Sequence, residues 1–127
     1  MTTPLEVGRK LVELCNQGKG LEAIASLYSA NIVSIEAQEH PPFPARMEGI
    51  EAVRGKSEWW YANHEVHKGE ARGPWPSGDR FVVMFNYEVT PRVGPMAGKR
   101  MAMEEAALYT VKDGKIVQEE FFYHMGG

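Results

Sequence analysis

With Cys15 as the single cysteine, no intrachain disulfide can form. No group of cysteines and histidines has the spacing of the common zinc patterns, so no metal is expected. A reducing, cytoplasmic setting is the natural expectation. No apolar run is long enough to cross a bilayer. The start, Met1-Thr2-Thr3-Pro4-Leu5-Glu6, lacks a basic segment leading into an apolar one, so the chain reads as soluble and unexported. Seventeen acidic against fourteen basic residues give a formal net charge of −3, and no Lys/Arg-rich run appears. Nucleic acid and membrane surfaces are therefore not expected as partners. No glycine-rich loop has the spacing of a phosphate cradle, and no cofactor is expected. Ser26, Ser29, Ser34, Ser57 and Ser77 lack the context of a nucleophile elbow, and Cys15 falls on the apolar stripe of a helix. Covalent hydrolysis is disfavoured.

What is present fits one α+β domain over residues 1–127. At 43% hydrophobic residues the chain is large enough for a genuine core. Val7, Leu11, Leu14 and Cys15 recur at helical spacing after Pro4, and Gly18 and Gly20 supply the stop. Leu21, Ile24, Leu27 and Tyr28 predict a shorter second helix, followed by a short strand over Ile32-Val33-Ser34-Ile35-Glu36. His40-Pro41-Pro42-Phe43-Pro44 can continue neither helix nor central strand, so residues 37–47 are expected to form a loop, a candidate lid. Ile50, Val53, Ser57, Trp60, Tyr61 and His64 mark a third helix from about Gly49 to Asn63. A strand is expected from Glu65 to Arg72, then a turn over residues 73–79. Phe81, Val83, Phe85, Tyr87 and Val89 alternate with Val82, Met84, Asn86 and Glu88, as in a half-buried strand.

The chain closes on a hairpin around Lys112-Asp113-Gly114, with strands from about Met101 to Val111 and Lys115 to His124. A two-residue loop would set Tyr109 against Gln118 and Ala107 against Glu120. A three-residue loop with Gly114 left-handed would set Tyr109 against Val117, Ala107 against Glu119 and Met103 against Tyr123. The second register is preferred, because it collects Met103, Glu105, Ala107, Tyr109, Val111, Val117, Glu119, Phe121 and Tyr123 on one apolar, aromatic face. Glu104, Ala106, Leu108, Ile116, Gln118, Glu120 and Phe122 then share the other.

This order of elements, with Leu27-Tyr28-Ser29-Ala30-Asn31-Ile32-Val33 leading into an acidic strand end and Tyr109 to Tyr123 closing the chain, resembles the nuclear transport factor 2-like superfamily. Within it, the chain is most similar to the SnoaL-like and ketosteroid-isomerase-like branch. The resemblance spans nearly the whole chain. It implies a curved, mainly antiparallel sheet wrapped on three N-terminal helices, a cone whose internal pocket takes a small hydrophobic ligand, and a homodimer. The isomerases' general base falls on Glu36. Their two oxyanion donors fall on about Leu11 and Ala107, neither of which can donate a hydrogen bond. Steroid isomerisation by that mechanism is therefore not expected.

Glu36, Glu105, Glu119 and His64 are the candidate catalytic residues. Glu36 is either a base among apolar neighbours or a solvated acid at a strand end. Glu105 and Glu119 must protonate, find a donor such as Tyr123, or reach water, and the plainer alternative is a half-exposed rim or an ion pair. Tyr28, His40, Trp60, Tyr61, Phe85, Tyr109, Phe121 and Tyr123 are candidate ligand contacts, although most aromatics in such a set are core. Trp59 and Trp60, about 100° apart around a helix, cannot both face one pocket. Two functions remain open: a cofactor-free isomerase, cyclase or dehydratase acting on a small hydrophobic carbonyl compound, or a non-catalytic binding or dimeric interaction module. The outer face of the C-terminal sheet is the expected homodimer surface.

Overall fold

Thr3 and Glu6 cap the first helix reciprocally: the Thr3 side chain accepts from the Glu6 amide at 3.1 Å, and Glu6 accepts from the Thr3 amide at 3.3 Å. The computed structural model describes residues 2–124. In chain order it holds α1 (Pro4–Asn16), α2 (Gly20–Leu27), β1 (Tyr28–Ile35), β2 (Arg46–Glu48), α3 (Ile50–Ala62), β3 (His64–Ser77), β4 (Arg80–Pro91), β5 (Met101–Lys112) and β6 (Lys115–Phe122). The strands form one six-stranded curved sheet in the order β2-β1-β6-β5-β4-β3. β1 runs parallel to β6, and every other pairing is antiparallel. The expected α+β architecture is present.

Three boundaries differ from expectation. β1 begins at Tyr28 rather than Ile32, because its first residues borrow hydrogen bonds from the distant β6. β2 falls where a loop was expected, pairing Val33, Ser34 and Ile35 with Glu48, Met47 and Arg46. β3 runs through Trp75 to Ser77 despite Pro74 and Pro76, since it lies at the sheet edge, where a missing amide donor breaks no ladder on its open side.

The last hairpin corrects the preferred register. Asp113 and Gly114 both have positive φ, 52° and 77°, and Lys112 pairs with Lys115, so the loop has two residues. A bulge then follows in β6: Val111 pairs with Ile116, but Thr110 pairs with Gln118, leaving Val117 as the extra residue. Beyond it Tyr109 faces Glu119 and Ala107 faces Phe121. The expected partners are off by two positions, and the parity is unchanged. Glu119 and Phe121 therefore share the inner face with Ala107 and Tyr109, as the sorting of faces required. Ile116 is the exception, because on the turn side of the bulge it points inward and is fully buried instead of lying on the outer face.

The core fills the space between the helices and this inner face. Val7, Leu11 and Leu14 of α1 and Val53 of α3 meet Phe81, Val83, Ala107, Tyr109 and Ile116 of the sheet. Phe81 and Tyr109 stack at 5.1 Å. Among the described residues, no helix is long and apolar enough to cross a membrane.

Candidate functional site

Glu119 sits on β6, the strand with β1 on one side and β5 on the other, so its inner-face neighbours are Ser34 and Tyr109. It is 3% exposed, and an unpaired carboxylate there would be costly. Two donors satisfy it: the Tyr28 hydroxyl binds one oxygen, and Ser34 Oγ donates to Oε2 at 2.7 Å. Burial pushes its carboxyl above the usual range against the pull of Lys56, Tyr28 and Ser34, while Glu36 adds to the rise.

Ser34 in turn accepts from Lys56 Nζ at 2.8 Å. Lys56 descends from α3, one turn beyond the buried Val53, and also reaches Glu36 Oε2 at 3.4 Å. Its ammonium stands 5.5 Å from the centre of the Phe121 ring. Glu36 lies just past the end of β1, where its amide is fixed to the carbonyl of Ala45 at 2.8 Å. Its Oε1 accepts from the Tyr123 hydroxyl at 3.2 Å, and the Tyr123 oxygen also meets His40 Nε2. A hydroxyl has one proton to give, so with Tyr123 donating to Glu36, His40 is the donor to Tyr123. One continuous chain thus joins His40, Tyr123, Glu36, Lys56, Ser34, Glu119 and Tyr28.

Glu105 is placed differently. It lies on the inner face of β5 beside Phe85 of β4, and among the described residues it makes no hydrogen bond or ion pair. Burial, reinforced by the negative charges of Glu36 and Glu119 and eased by Lys56, pushes its carboxyl up to about 8. That shift favours the protonated carboxyl near neutral pH, while the Glu36 carboxyl accepts from Lys56 and Tyr123.

The loop of residues 37–45 closes over this cluster. His40 packs on Tyr123 at 5.7 Å between ring centres, and Phe43 meets the edge of Trp59, also at 5.7 Å. Trp59 and Trp60 do divide their duties: Trp59 lies under the loop, and Trp60 faces Tyr87 and His64. Below the loop the side chains of Lys56 and Glu36 remain 14% and 18% exposed.

The candidates thus divide. Glu36, Glu119, Tyr28, His40 and Tyr123 belong to one hydrogen-bonded chain, with Phe121 under its lysine and Glu105 on the same inner face. His64 is not joined to the carboxylates; its Nδ1 bonds the carbonyl of Trp60 at 2.8 Å, and its ring stacks on the Trp60 indole at 4.4 Å. Tyr61 is 40% exposed and lines a hollow of about 320 Å³ between the end of α1 and β3, with Cys15, Val66 and Tyr87. A larger hollow of about 520 Å³ opens on the outer face of β3, β4 and β5, beside Glu70, Asn86, Glu88 and Glu104. Neither hollow is lined by Glu36, Glu105 or Glu119. Burial pushes the Cys15 thiol up to about 12, consistent with an inert packing role. Leu11 and Ala107, which resemblance set at the oxyanion positions, are apolar core. Among the described residues no group of His, Cys, Asp and Glu has the arrangement of a metal site.

Lys56 and the partnership of Ser34 were missed by the sequence reasoning. A signal existed: Val53, Lys56 and Trp60 stand three and four residues apart, which puts a lysine on the helix's inward stripe.

The SnoaL-like domain family matches residues 1–123. No curated protein matches the chain. Among solved structures, a Mesorhizobium loti protein provisionally named a SnoaL-like polyketide cyclase and carbohydrate phosphatase shares 43% identity, with 96% of this chain and 100% of that chain covered and a TM-score of 0.88. An NTF2-like protein of Burkholderia thailandensis is 20% identical over 98% of this chain and 92% of its own, with a TM-score of 0.80. A Catenulispora acidiphila protein with a ketosteroid-isomerase-like fold, solved with trimethylamine, is 22% identical over 98% of this chain and 88% of its own, at 0.71. These last two share the fold. A match over nearly the whole length, on a six-stranded sheet curved around three helices, makes this chain a member of the SnoaL-like domain family.

Proposed function

We propose that this domain is a cofactor-free acid–base catalyst for a small hydrophobic carbonyl compound, of the isomerase, cyclase or dehydratase kind. The observation that carries it is the pair Glu36 and Glu105. Two carboxyls share one inner face, one gripped by an ammonium and a phenol, the other half-buried, with no hydrogen-bond partner among the described residues and its carboxyl pushed up to about 8. A carboxyl that keeps its proton beside a second one placed as a hydrogen-bond acceptor gives such a site an acid and a base. Glu36 takes a proton from the carbon beside the carbonyl, and the C–H electron pair becomes the enol double bond. Glu105 passes its proton to the carbonyl oxygen. Delivery of the proton held by Glu36 to a second carbon, as Glu105 takes back the enol proton, isomerises; attack of the enol carbon on a second carbonyl, whose oxygen takes the proton from Glu36 while Glu105 recovers its own, closes a ring. The cyclase name of the Mesorhizobium loti relative is in keeping with this.

The test is exchange of α-protons for deuterium in a panel of short-chain and flat polycyclic enones, followed by proton NMR. Acceleration is expected at neutral pH and a decline as pH rises past about 8, where Glu105 loses its proton. No acceleration anywhere in the panel leaves a non-catalytic binding module as the better account.

For assembly, we propose pairing of two copies through the outer sheet face, where Phe122 is 49% exposed beside the polar Glu104 and Glu120. Ile116 takes no part, being core. Equilibrium sedimentation at micromolar concentration is expected to give a dimer, and monomer alone refutes it.

A further inference from the structure

We propose a second binding site on this chain, at the free edge of β3, for a flat ring that carries a carboxamide or lactam, a planar group with its carbonyl and an N–H on the same side. The site is separate from the carboxylate chain and does not depend on the acid–base role of Glu36 and Glu105.

The molecule already seats such a group on this strand edge. β3 is the last strand of the sheet, so one side of its backbone has no strand partner. At Ala71 that side is filled by the Asn16 carboxamide: Asn16 Nδ2 donates to the Ala71 carbonyl at 3.0 Å, and the Ala71 amide donates to Asn16 Oδ1 at 2.7 Å. In an antiparallel pair, residues whose N–H and C=O both point away from the neighbouring strand recur at every second position. Gly69 is two residues before Ala71 in unbroken register, facing Tyr87 as Ala71 faces Phe85. Its N–H and C=O therefore point off the same edge, and among the described residues no side chain or loop bonds them there.

Beside Gly69 lies the hollow of about 320 Å³ between the end of α1 and β3. Two of its walls are aromatic. The Tyr87 ring is so near Gly69 that a β-carbon there would come within 3.3 Å of it, and the bare glycine keeps that ring uncovered. Tyr61 forms a second wall, its hydroxyl lodged against Gly20, where any side chain would collide with it. Val66 and Cys15 add apolar surface. A hollow at the small end of the range for ligand sites suits a single ring.

The edge offers one docking position rather than a ladder. Asn16 occupies the position at Ala71, and on the other side the register slips between Val66 and Lys68. A peptide strand needs several main-chain pairs in register, and only one is open here. A carboxylate would leave the Gly69 carbonyl without a donor, and Lys68, which borders the hollow, stands opposite Glu88 in the sheet. A carboxamide or lactam satisfies both groups of Gly69, as Asn16 does those of Ala71.

The experiment titrates isotope-labelled protein with benzamide, N-methylbenzamide and benzoate, and follows the backbone amide resonances by NMR. Benzamide is expected to move the Gly69 amide downfield along a saturating curve, with Tyr61 and Val66 shifting alongside. N-methylbenzamide keeps one N–H, but trans to its oxygen. It is expected to bind roughly five- to tenfold more weakly, the scale of one neutral hydrogen bond, and benzoate is expected to bind more weakly than benzamide. Gly69→Ala sets a methyl group against Tyr87 and is expected to lose saturable binding. An unmoved Ala71 amide in that variant shows that Asn16 still holds the edge.

Shifts that are largest at Glu105 or Phe121 would put the ring in the carboxylate interior instead. That result, equal affinity for N-methylbenzamide, tighter binding of benzoate, undiminished binding by Gly69→Ala, or no saturable shift at the solubility limit of benzamide overturns the proposal. If Gly69→Ala does not fold, the three probes on wild-type protein decide.

Discussion

Glu36→Gln is expected to slow α-proton exchange by a factor of roughly 100 to 10,000, the usual contribution of a positioned general base. The substitution is nearly isosteric, and its amide oxygen can still accept from Lys56 or Tyr123, so the fold should survive. What disappears is the basic oxygen. Loss of the partly exposed ion pair with Lys56, at 14% and 18% side-chain exposure, should cost only about 1 kcal/mol in thermal unfolding. A second readout separates loss of the base from general damage. The charge of Glu36 helps to raise the Glu105 carboxyl, so the fall of activity on the alkaline side, if any activity remains, should move to lower pH. An exchange rate within about twofold of wild type would show that Glu36 is not the base.

Glu105→Gln has its largest effect on stability, and in a sense opposite to the usual surface acid. The folded carboxyl titrates at about 8 against 4.5 for the free group. Between those values the folded chain holds a proton that the unfolded chain has released. Stability is therefore fully present below pH 4.5 and is lost as pH rises through 8. The slope is at most about 1.4 kcal/mol per pH unit, so the ceiling between pH 5 and 8 is about 4 kcal/mol. Glutamine carries no charge to bury and should flatten that slope. Urea unfolding at several pH values measures it, and the variant should equal or exceed wild type at pH 9. Parallel slopes for the two proteins would mean that Glu105 is solvated in the folded state.

The two acids were legible in the sequence to different degrees. Glu36 follows a β-branched run, and Glu105 stands in alternation with Met103, Ala107 and Tyr109, so face and rough depth could be read from period-two spacing. The partners could not. Tyr28 reaches Glu119 across 91 residues, and Tyr123 reaches Glu36 across 87. Lys56 looked like any lysine in a helix, because a flexible four-carbon side chain is compatible with solvent or interior until the sheet beneath it is known.

His64 and Tyr61 stand apart from the carboxylates for a local reason. Both fit the helical stripe of α3, yet the helix ends at Ala62, and the aromatic ring of His64 finds Trp60 before it finds an acid. Spacing along a helix gives a direction from its axis and says nothing about what lies there. The same limit hid β2, three residues long, whose strand character comes from pairing with β1 rather than from its own composition.

The local alternation of apolar and polar residues determined, from sequence alone, the α+β order, the two hairpins and which acids share the inner face. Tertiary structure decided the rest, and the last hairpin shows why. Its loop has two residues where three were preferred, and a single bulge at Val117 restores the parity that puts Glu119 and Phe121 inside. Alternation fixes parity because burial rewards it at every second residue. Loop length and bulge can trade against each other without changing that reward, so the cross-strand partners are settled only when β1 and the helices pack on both. The same packing brought Lys56 over Phe121 and left Glu105 without a hydrogen-bond partner among the described residues, which is where the chemistry is proposed to lie.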